Sequence, residues 1–216
     1  MSVEQLVAAL DEGDVSPGVV LVDVRWTLNG PPGRPAYEAG HLPGAVYVDL
    51  ESELTTHGPE GGRHPLPDPD VFQRAMRRSG VSAATPVVVY DGATSLAASR
   101  LWWLLTDAGH PDVRVLDGGY DAWLAAGLPV ETGPGPAPAA GDFVVESGHR
   151  RVVDAEAVAA LGRVGTGPVL VDVRAADRYA GENETIDPIA GHIPGAVNRP
   201  SMANLTESGG FKAAPE

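Results

Sequence analysis

Residues 20–25 read VLVDVR, and residues 169–174 read VLVDVR again. An apolar run broken only by one aspartate is the pattern of a strand covered on both faces, as in a parallel sheet. Working outward, HLPGAV at 41–46 is matched by HIPGAV at 192–197, and VAAL at 7–10 by VAAL at 158–161. The copies stand 149 residues apart for the first pair and 151 for the other two. Three matches in one order, with loops that tolerate small length changes, imply two copies of one domain. A solenoid would repeat every ~20–50 residues instead.

The first copy alternates strand and helix signals. Ser2 followed by Gln5 is a capping box that opens a helix with Leu6, Val7 and Leu10 on one side. Val19–Val24 is the first strand, Asn29–Pro35 a turn-rich stretch, and Ala45–Val48 the second strand. Asp68 or Asp70 caps a helix through Phe72, Ala75 and Met76. Val87–Tyr90 is a third buried strand, Ser95–Asp107 a helix, and Val113–Leu116 a fourth strand. Gly118-Gly119 then turns into a short helix through Trp123. This order predicts an α/β domain with a largely parallel sheet and helices on both faces.

Residues 131–141 read ETGPGPAPAAG, an extended linker composition. The chain is therefore divided into a first domain, 1–133, a linker, 134–148, and a second copy, 149–216. Its first signals begin near Phe143, at the end of the linker; Asp154 caps a helix to Leu161, and Val169–Val173 is a strand. At the 151-residue offset, residue 216 corresponds to residue 65 of the first copy. The counterpart of residues 66–130 is not in this sequence. A half sheet leaves apolar surface unpaired, so the expectation is a piece of a longer protein, with a naturally short product as the alternative.

These segments carry a resemblance. LVDVR, GHLPGAV, PVVVYDG, SRLWWLL, VRVLDGGYDAW and GLPV follow one another in order. Together they resemble the tandem-domain rhodaneses, the thiosulfate and 3-mercaptopyruvate sulfurtransferases, over most of residues 3–133 and 152–200. The resemblance implies a duplicated rhodanese-like fold whose second copy is incomplete here. It implies a cysteine persulfide mechanism with no cofactor and no metal. The donor is a small sulfur-bearing anion, and the acceptor is cyanide, a thiol or a protein. It puts the nucleophilic cysteine at the second copy's counterpart of Asp91, beyond residue 216. A catalytically inactive binding or regulatory module is the alternative.

Composition bounds the chemistry. The 216 residues contain no cysteine, so they hold no disulfide, thiolate metal site or cysteine nucleophile. Fifteen basic against 29 acidic side chains give a net charge of −14, and Lys212 is the only lysine. That argues against nucleic acid as a partner. No apolar run reaches the ~20 residues of a membrane span, and Met1–Leu10 lacks a basic segment. A soluble cytoplasmic protein is expected.

Asp91 ends a buried parallel strand just before a helix, where open α/β folds place their ligand chemistry. By resemblance it stands where an active domain has its cysteine. An aspartate there fills the anion cradle of loop N–H groups but cannot accept sulfane sulfur, so no residue of this chain is expected to be the nucleophile. Arg178 matches, by resemblance, the arginine that contacts the anionic donor; an ion pair with Glu182 or Glu184 is the local alternative. Glu182–Ile189 supplies no second arginine. Trp26 and Leu96 match residues lining the apolar wall of the family's cleft, with core packing as the alternative. His41, repeated as His192, reads as a structural imidazole or as a cleft residue. Asp23-Val-Arg25 and Asp172-Val-Arg174 read as structural pairs.

Other readings fail on spacing. A Cys-x5-Arg phosphatase loop is absent, since Asp91 and Ala97 stand at the two positions. His41, His57 and His64 lack zinc-ligand spacing. Gly133-Pro-Gly135 lacks the dinucleotide pattern.

Overall fold

The computed structural model describes residues 1–11, 18–58, 62–160 and 168–214. They fall into two units, Met1–Arg150 with Ser208–Gly210, and Arg151–Glu207 with Phe211–Glu216.

In chain order the first unit runs α1 (Val3–Asp11), β1 (Val20–Asp23), α2 (Gly33–Ala39), β2 (Val46–Tyr47) and α3 (Leu50–Glu53). It continues through α4 (Pro69–Arg78), β3 (Val87–Tyr90), α5 (Leu96–Asp107), β4 (Val113–Val115) and α6 (Gly119–Ala125). The strands lie in the order β2-β1-β3-β4, and every pair is parallel. Val22 faces Val46 on one side and Val89 on the other.

Side chains alternate across a strand, and the two halves of this alternation build two cores. Val22, Val24, Val87 and Val89 point to one face, where they meet Phe72, Ala75 and Met76 of α4 and Leu101, Leu104 and Leu105 of α5. Leu21, Val88 and Tyr90 point to the other, against Leu6 of α1, Leu42, Leu116 and Trp123 of α6. Burying each large apolar side chain contributes about 1.5–3 kcal/mol. This double cover is why β1 and β3 read as continuous apolar runs.

Local signals fix the helix ends. Ser2 and Gln5 cap α1 reciprocally: the Ser2 N–H donates to Gln5 Oε1 at 2.9 Å and the Gln5 N–H to Ser2 Oγ at 3.2 Å. Asp68, of the two candidates, caps α4 by accepting from the Asp70 and Val71 N–H groups.

Three elements differ from the sequence expectation. The stretch 29–35 contains the start of α2, because Pro35 lies in its first turn, where no N–H is required. The short α3 forms on the Asp49 cap, which accepts from Ser52 N at 2.9 Å. The expected linker does not hang free. Gly141 N donates to Arg77 O at 2.8 Å, Arg77 Nε to Phe143 O at 2.8 Å, and Val145 N to Gln73 Oε1 at 2.9 Å. Phe143, expected to open the second copy, is buried in the first unit's core. One aromatic side chain outweighs the Pro/Gly composition around it.

The second unit runs α7 (Ala155–Ala159), β5 (Val171–Asp172), α8 (Ala176–Ala180), β6 (Val197–Asn198) and a 3-10 turn at Ser201–Asn204. Asp154 caps α7 through the Ala157 N–H at 2.8 Å. The predicted end of this helix, Leu161, lies outside the described residues. β5 and β6 pair in parallel with Val171 opposite Val197, the counterparts of Val22 and Val46. The strand is shorter than the predicted Val169–Val173. In the first unit β3 lies along the other edge of β1, whereas among the described residues β5 pairs with β6 alone. Val171 is accordingly 45% exposed, where its counterpart Val22 is fully buried.

No helix among the described residues is long and apolar enough to cross a membrane.

Candidate functional site

Asp91 follows β3 directly and is buried. Its carboxylate accepts three backbone N–H bonds: Ser95 N to Oδ1 at 2.9 Å, and Ala97 N and Ala98 N to Oδ2 at 3.0 and 3.3 Å. The last two belong to the first turn of α5, whose N–H groups lack partners within the helix. The loop reaches this geometry with Ser95 in the left-handed region, φ 57°. The main chain beneath is clamped by α6, as Tyr120 N donates to Asp91 O at 2.8 Å and Asp121 N to Gly92 O at 2.9 Å. That approach requires glycine, since a Cβ on Gly119 would lie 2.5 Å from Asp91 O. Burial pushes the Asp91 carboxyl up from its ordinary value, while the Ala98, Ser95 and Ala97 N–H groups pull it down. The arrangement is an anion cradle filled by the protein's own carboxylate.

Each unit carries one of the two Asp-x-Arg pairs. Asp23 binds Arg25 through the arginine's N–H, Nε and Nη2, the last at 2.7 Å, and Arg25 Nη2 also donates to Gly40 O at 2.6 Å. The Arg25 guanidinium stacks over the Tyr120 ring at 4.2 Å. In the second unit Arg174 Nη2 donates to Asp172 at 2.6 Å and to Gly191 O at 2.7 Å. These are turn-fixing contacts, as read from the sequence.

His41 is fully buried. Its ring stacks on Tyr37 at 4.0 Å, and Nδ1 lies 2.9 Å from Tyr37 O. It does not line the cavity that Trp26 and Leu96 share. The stacking and the backbone bond hold the ring inside the unit. Trp26 and Leu96 do come together, around a cavity of about 200 Å³ with Leu50, His64, Ala97 and Arg100. Leu96 is 49% exposed, which excludes core packing for it, while Trp26 packs partly on the core.

The same region holds a pair that the sequence did not disclose. Glu51 Oε1 accepts from Trp26 Nε1 at 2.7 Å and lies 3.2 Å from His64 Nε2, and the Trp26 and His64 rings meet edge to face at 5.2 Å. With Nε2 protonated the imidazole donates to Glu51, which fixes its tautomer. Such a pair can hold or pass a proton. Twenty-five residues separate Trp26 from Glu51 and thirteen separate Glu51 from His64. No motif carries that spacing.

Arg178, in α8, takes the ion pair foreseen as its alternative. Its Nε and Nη2 donate to Glu184 at 3.0–3.2 Å, and Nη2 also donates to Asp187 at 2.9 Å. The Asp187 N–H at 2.8 Å and the Ile186 N–H at 2.9 Å hold the same Glu184 carboxylate, and with Arg178 they bring its pKa down to about 2.

Comparison with known proteins fits this geometry. The family model of the rhodanese-like domain matches residues 2–126. The chain is similar to the SseB protein of Mycobacterium tuberculosis, 43% identical over 213 residues, covering 96% of this chain and 72% of that protein. It is 34% identical over 225 residues to the 3-mercaptopyruvate sulfurtransferase of Rattus norvegicus, covering all of this chain and 73% of that protein. Among solved structures, SseA from Escherichia coli, described as a 3-mercaptopyruvate sulfotransferase, superposes with a TM-score of 0.79 at 29% identity, over 99% of this chain and 78% of that one. The filled cradle at the end of β3, the duplicated Asp-x-Arg turns and these likenesses agree, and the chain belongs to the rhodanese-like domain family.

Proposed function

We propose that this chain is part of a sulfurtransferase that moves one sulfur atom from thiosulfate or 3-mercaptopyruvate, through a cysteine persulfide, to a nucleophilic acceptor. In the first half-reaction a cysteine thiolate attacks the donor's outer sulfur. The bond from that sulfur to the rest of the donor breaks, and sulfite, or pyruvate once a proton is taken up, leaves. In the second, cyanide, a thiol or a protein thiolate attacks the outer sulfur of the persulfide, and the cysteine thiolate departs unchanged. The cycle balances without an external oxidant or reductant.

The observation that carries this reading is the Asp91 cradle. Three N–H groups at a strand end hold one negative charge, the arrangement a thiolate or persulfide needs. Here a carboxylate fills it, and carboxylate oxygen forms no stable link to sulfane sulfur. With no cysteine in 216 residues, the thiolate is supplied from outside residues 1–216. The first unit then serves as a silent partner, and the chain alone does not turn over. Arg178 is the donor-binding group, since its planar guanidinium matches a carboxylate or sulfonate. Trp26 and Leu96 supply an apolar wall that disfavours water attack on the persulfide.

The test is to load the protein encoded by the complete gene with thiosulfate or 3-mercaptopyruvate and map the added sulfur by peptide mass spectrometry. One persulfide on a cysteine outside residues 1–216 is expected. Uptake of sulfur by residues 1–216 overturns the reading.

A further inference from the structure

The two carboxylates on Arg178 are not equivalent. The Glu184 side chain is 3% exposed and is tied down by two backbone N–H groups as well as by the guanidinium. It is a fixed counter-ion that sets the plane of the arginine. The Asp187 side chain is 41% exposed and reaches Arg178 through one 2.9 Å bond. Asp187 also lines an open cavity of about 440 Å³ in the second unit, with Asp172, Arg174 and His192 among the other walls.

We propose that the Asp187 carboxylate is a resident competitor for the Arg178 guanidinium, displaced when a small anionic donor binds, and that it sets both the affinity and the charge preference of the donor site. This rests on the reading of Arg178 as the donor-binding group. An exposed ion pair is weak and exchangeable, whereas a buried one tied by several bonds is not. Displacing Asp187 therefore leaves Glu184 in place, and the guanidinium stays oriented for the incoming anion.

The displaced carboxylate does not leave the site. Asp172, Glu184 and Asp187 then stand against Arg174 and Arg178, three negative charges against two positive ones. A second negative charge on the ligand meets an unfavourable field. The site accordingly favours a donor with a single carboxylate over a dianion such as thiosulfate. Neutralising Asp187 removes the competitor for both, and helps the dianion more.

The test uses the 216-residue chain, pyruvate as an unreactive monoanionic probe and sulfate as the dianionic one. Binding is read by isothermal titration calorimetry in every variant, and also from the Arg178 Nε–H resonance where the arginine is kept. Asp187→Asn is expected to tighten pyruvate by about fivefold and sulfate by more. Asp187→Ser, which keeps the backbone N–H that holds Glu184, serves as the second variant and is expected to do the same. Adding Arg178→Gln is expected to abolish the gain. Unchanged affinity in both Asp187 variants, with Arg178→Gln still abolishing binding, overturns the competition but leaves the donor reading intact. Binding that survives Arg178→Gln overturns the donor reading itself. No saturable binding in either Asp187 variant overturns the proposal.

Discussion

The two units build the same turn in different surroundings. In the first, Tyr37 stacks on His41 at 4.0 Å and its hydroxyl donates to Ala45 O at 2.6 Å. In the second, Tyr179 stacks on His192 at 3.7 Å and its hydroxyl donates to Ala196 O at 2.8 Å. Nδ1 of each histidine lies 2.8–2.9 Å from the carbonyl of its tyrosine. Each Asp-x-Arg pair closes on the carbonyl of the glycine before that histidine. Yet Tyr37, His41 and Asp23 are buried, and His192 is exposed. About 25 residues of sequence suffice to specify the turn. Burial comes from elsewhere, from β3 along the second edge of β1 and from the helices that cover the sheet.

That difference can be broken by matched substitutions. All four tryptophans, Trp26, Trp102, Trp103 and Trp123, lie in the first unit, so their fluorescence reports on it alone. The Tyr179 ring resonances report on the second. Asp23→Ala leaves the Arg25 guanidinium unpaired in a buried setting and is expected to cost about 3–5 kcal/mol in a urea melt followed by tryptophan. Asp172→Ala, followed by Tyr179, is expected to cost about 1 kcal/mol, since its part-buried pair is more exposed than that of Asp23. Equal losses would mean that the two turns are equally buried.

Asp91→Ala strips three buried N–H groups of their acceptor. Its expected cost is about 1–3 kcal/mol by the same fluorescence melt, and a neutral result would show that the cradle does not depend on the resident anion. Tyr37→Phe removes a buried hydrogen bond and is expected to cost about 1 kcal/mol. Tyr179→Phe removes a part-buried one and is expected to stay within about 0.5 kcal/mol.

A smaller effect separates the units by pH. The folded pKa of Glu184, about 2, lies below its ordinary value of 4.5. Its stabilising contribution is therefore complete above pH 4.5 and is lost as pH falls through about 2. The buried Asp91 carboxyl is shifted the other way. Burial there favours the protonated form, so that contribution is complete below the ordinary value of 3.8 and declines as pH rises through the folded value. Carboxyl resonances followed over pH 1–6 should show Glu184 titrating below an exposed glutamate and Asp91 above an exposed aspartate. The reverse order would contradict the burial of one and the bonding of the other.

Much of the fold was legible because single residues or short runs determine it. The valine runs of β1 and β3 need cover on both faces, and Ser2 and Asp68 announce helix starts. The position of Asp91 at a strand end was legible for the same reason. What the sequence hid depends on packing at a distance. Phe143 lies in a stretch with linker composition, yet one ring buried among α4 and α5 residues ties that stretch to the first unit. His41 reads from the sequence as a structural imidazole or a cleft residue, and its contacts with the Tyr37 ring and carbonyl lie beyond any local pattern. Glu51 and His64 meet at Trp26, which donates to the one and packs edge to face on the other. No local pattern records that meeting. Arg178 takes the ion pair with Glu184 that was weighed as one of its two readings, and the second carboxylate on it, Asp187, lay beyond the two partners weighed.

The central claim is that the first unit holds the cradle without the nucleophile, so that sulfur transfer needs a thiolate from outside these 216 residues. The most direct test is thiocyanate formation from thiosulfate and cyanide, measured for the 216-residue chain beside the protein encoded by the complete gene. The account predicts no thiocyanate above the uncatalysed background from the chain, and turnover from the complete protein that stops when its added cysteine is replaced by serine. Thiocyanate formed by the chain alone, in proportion to its concentration, would contradict it.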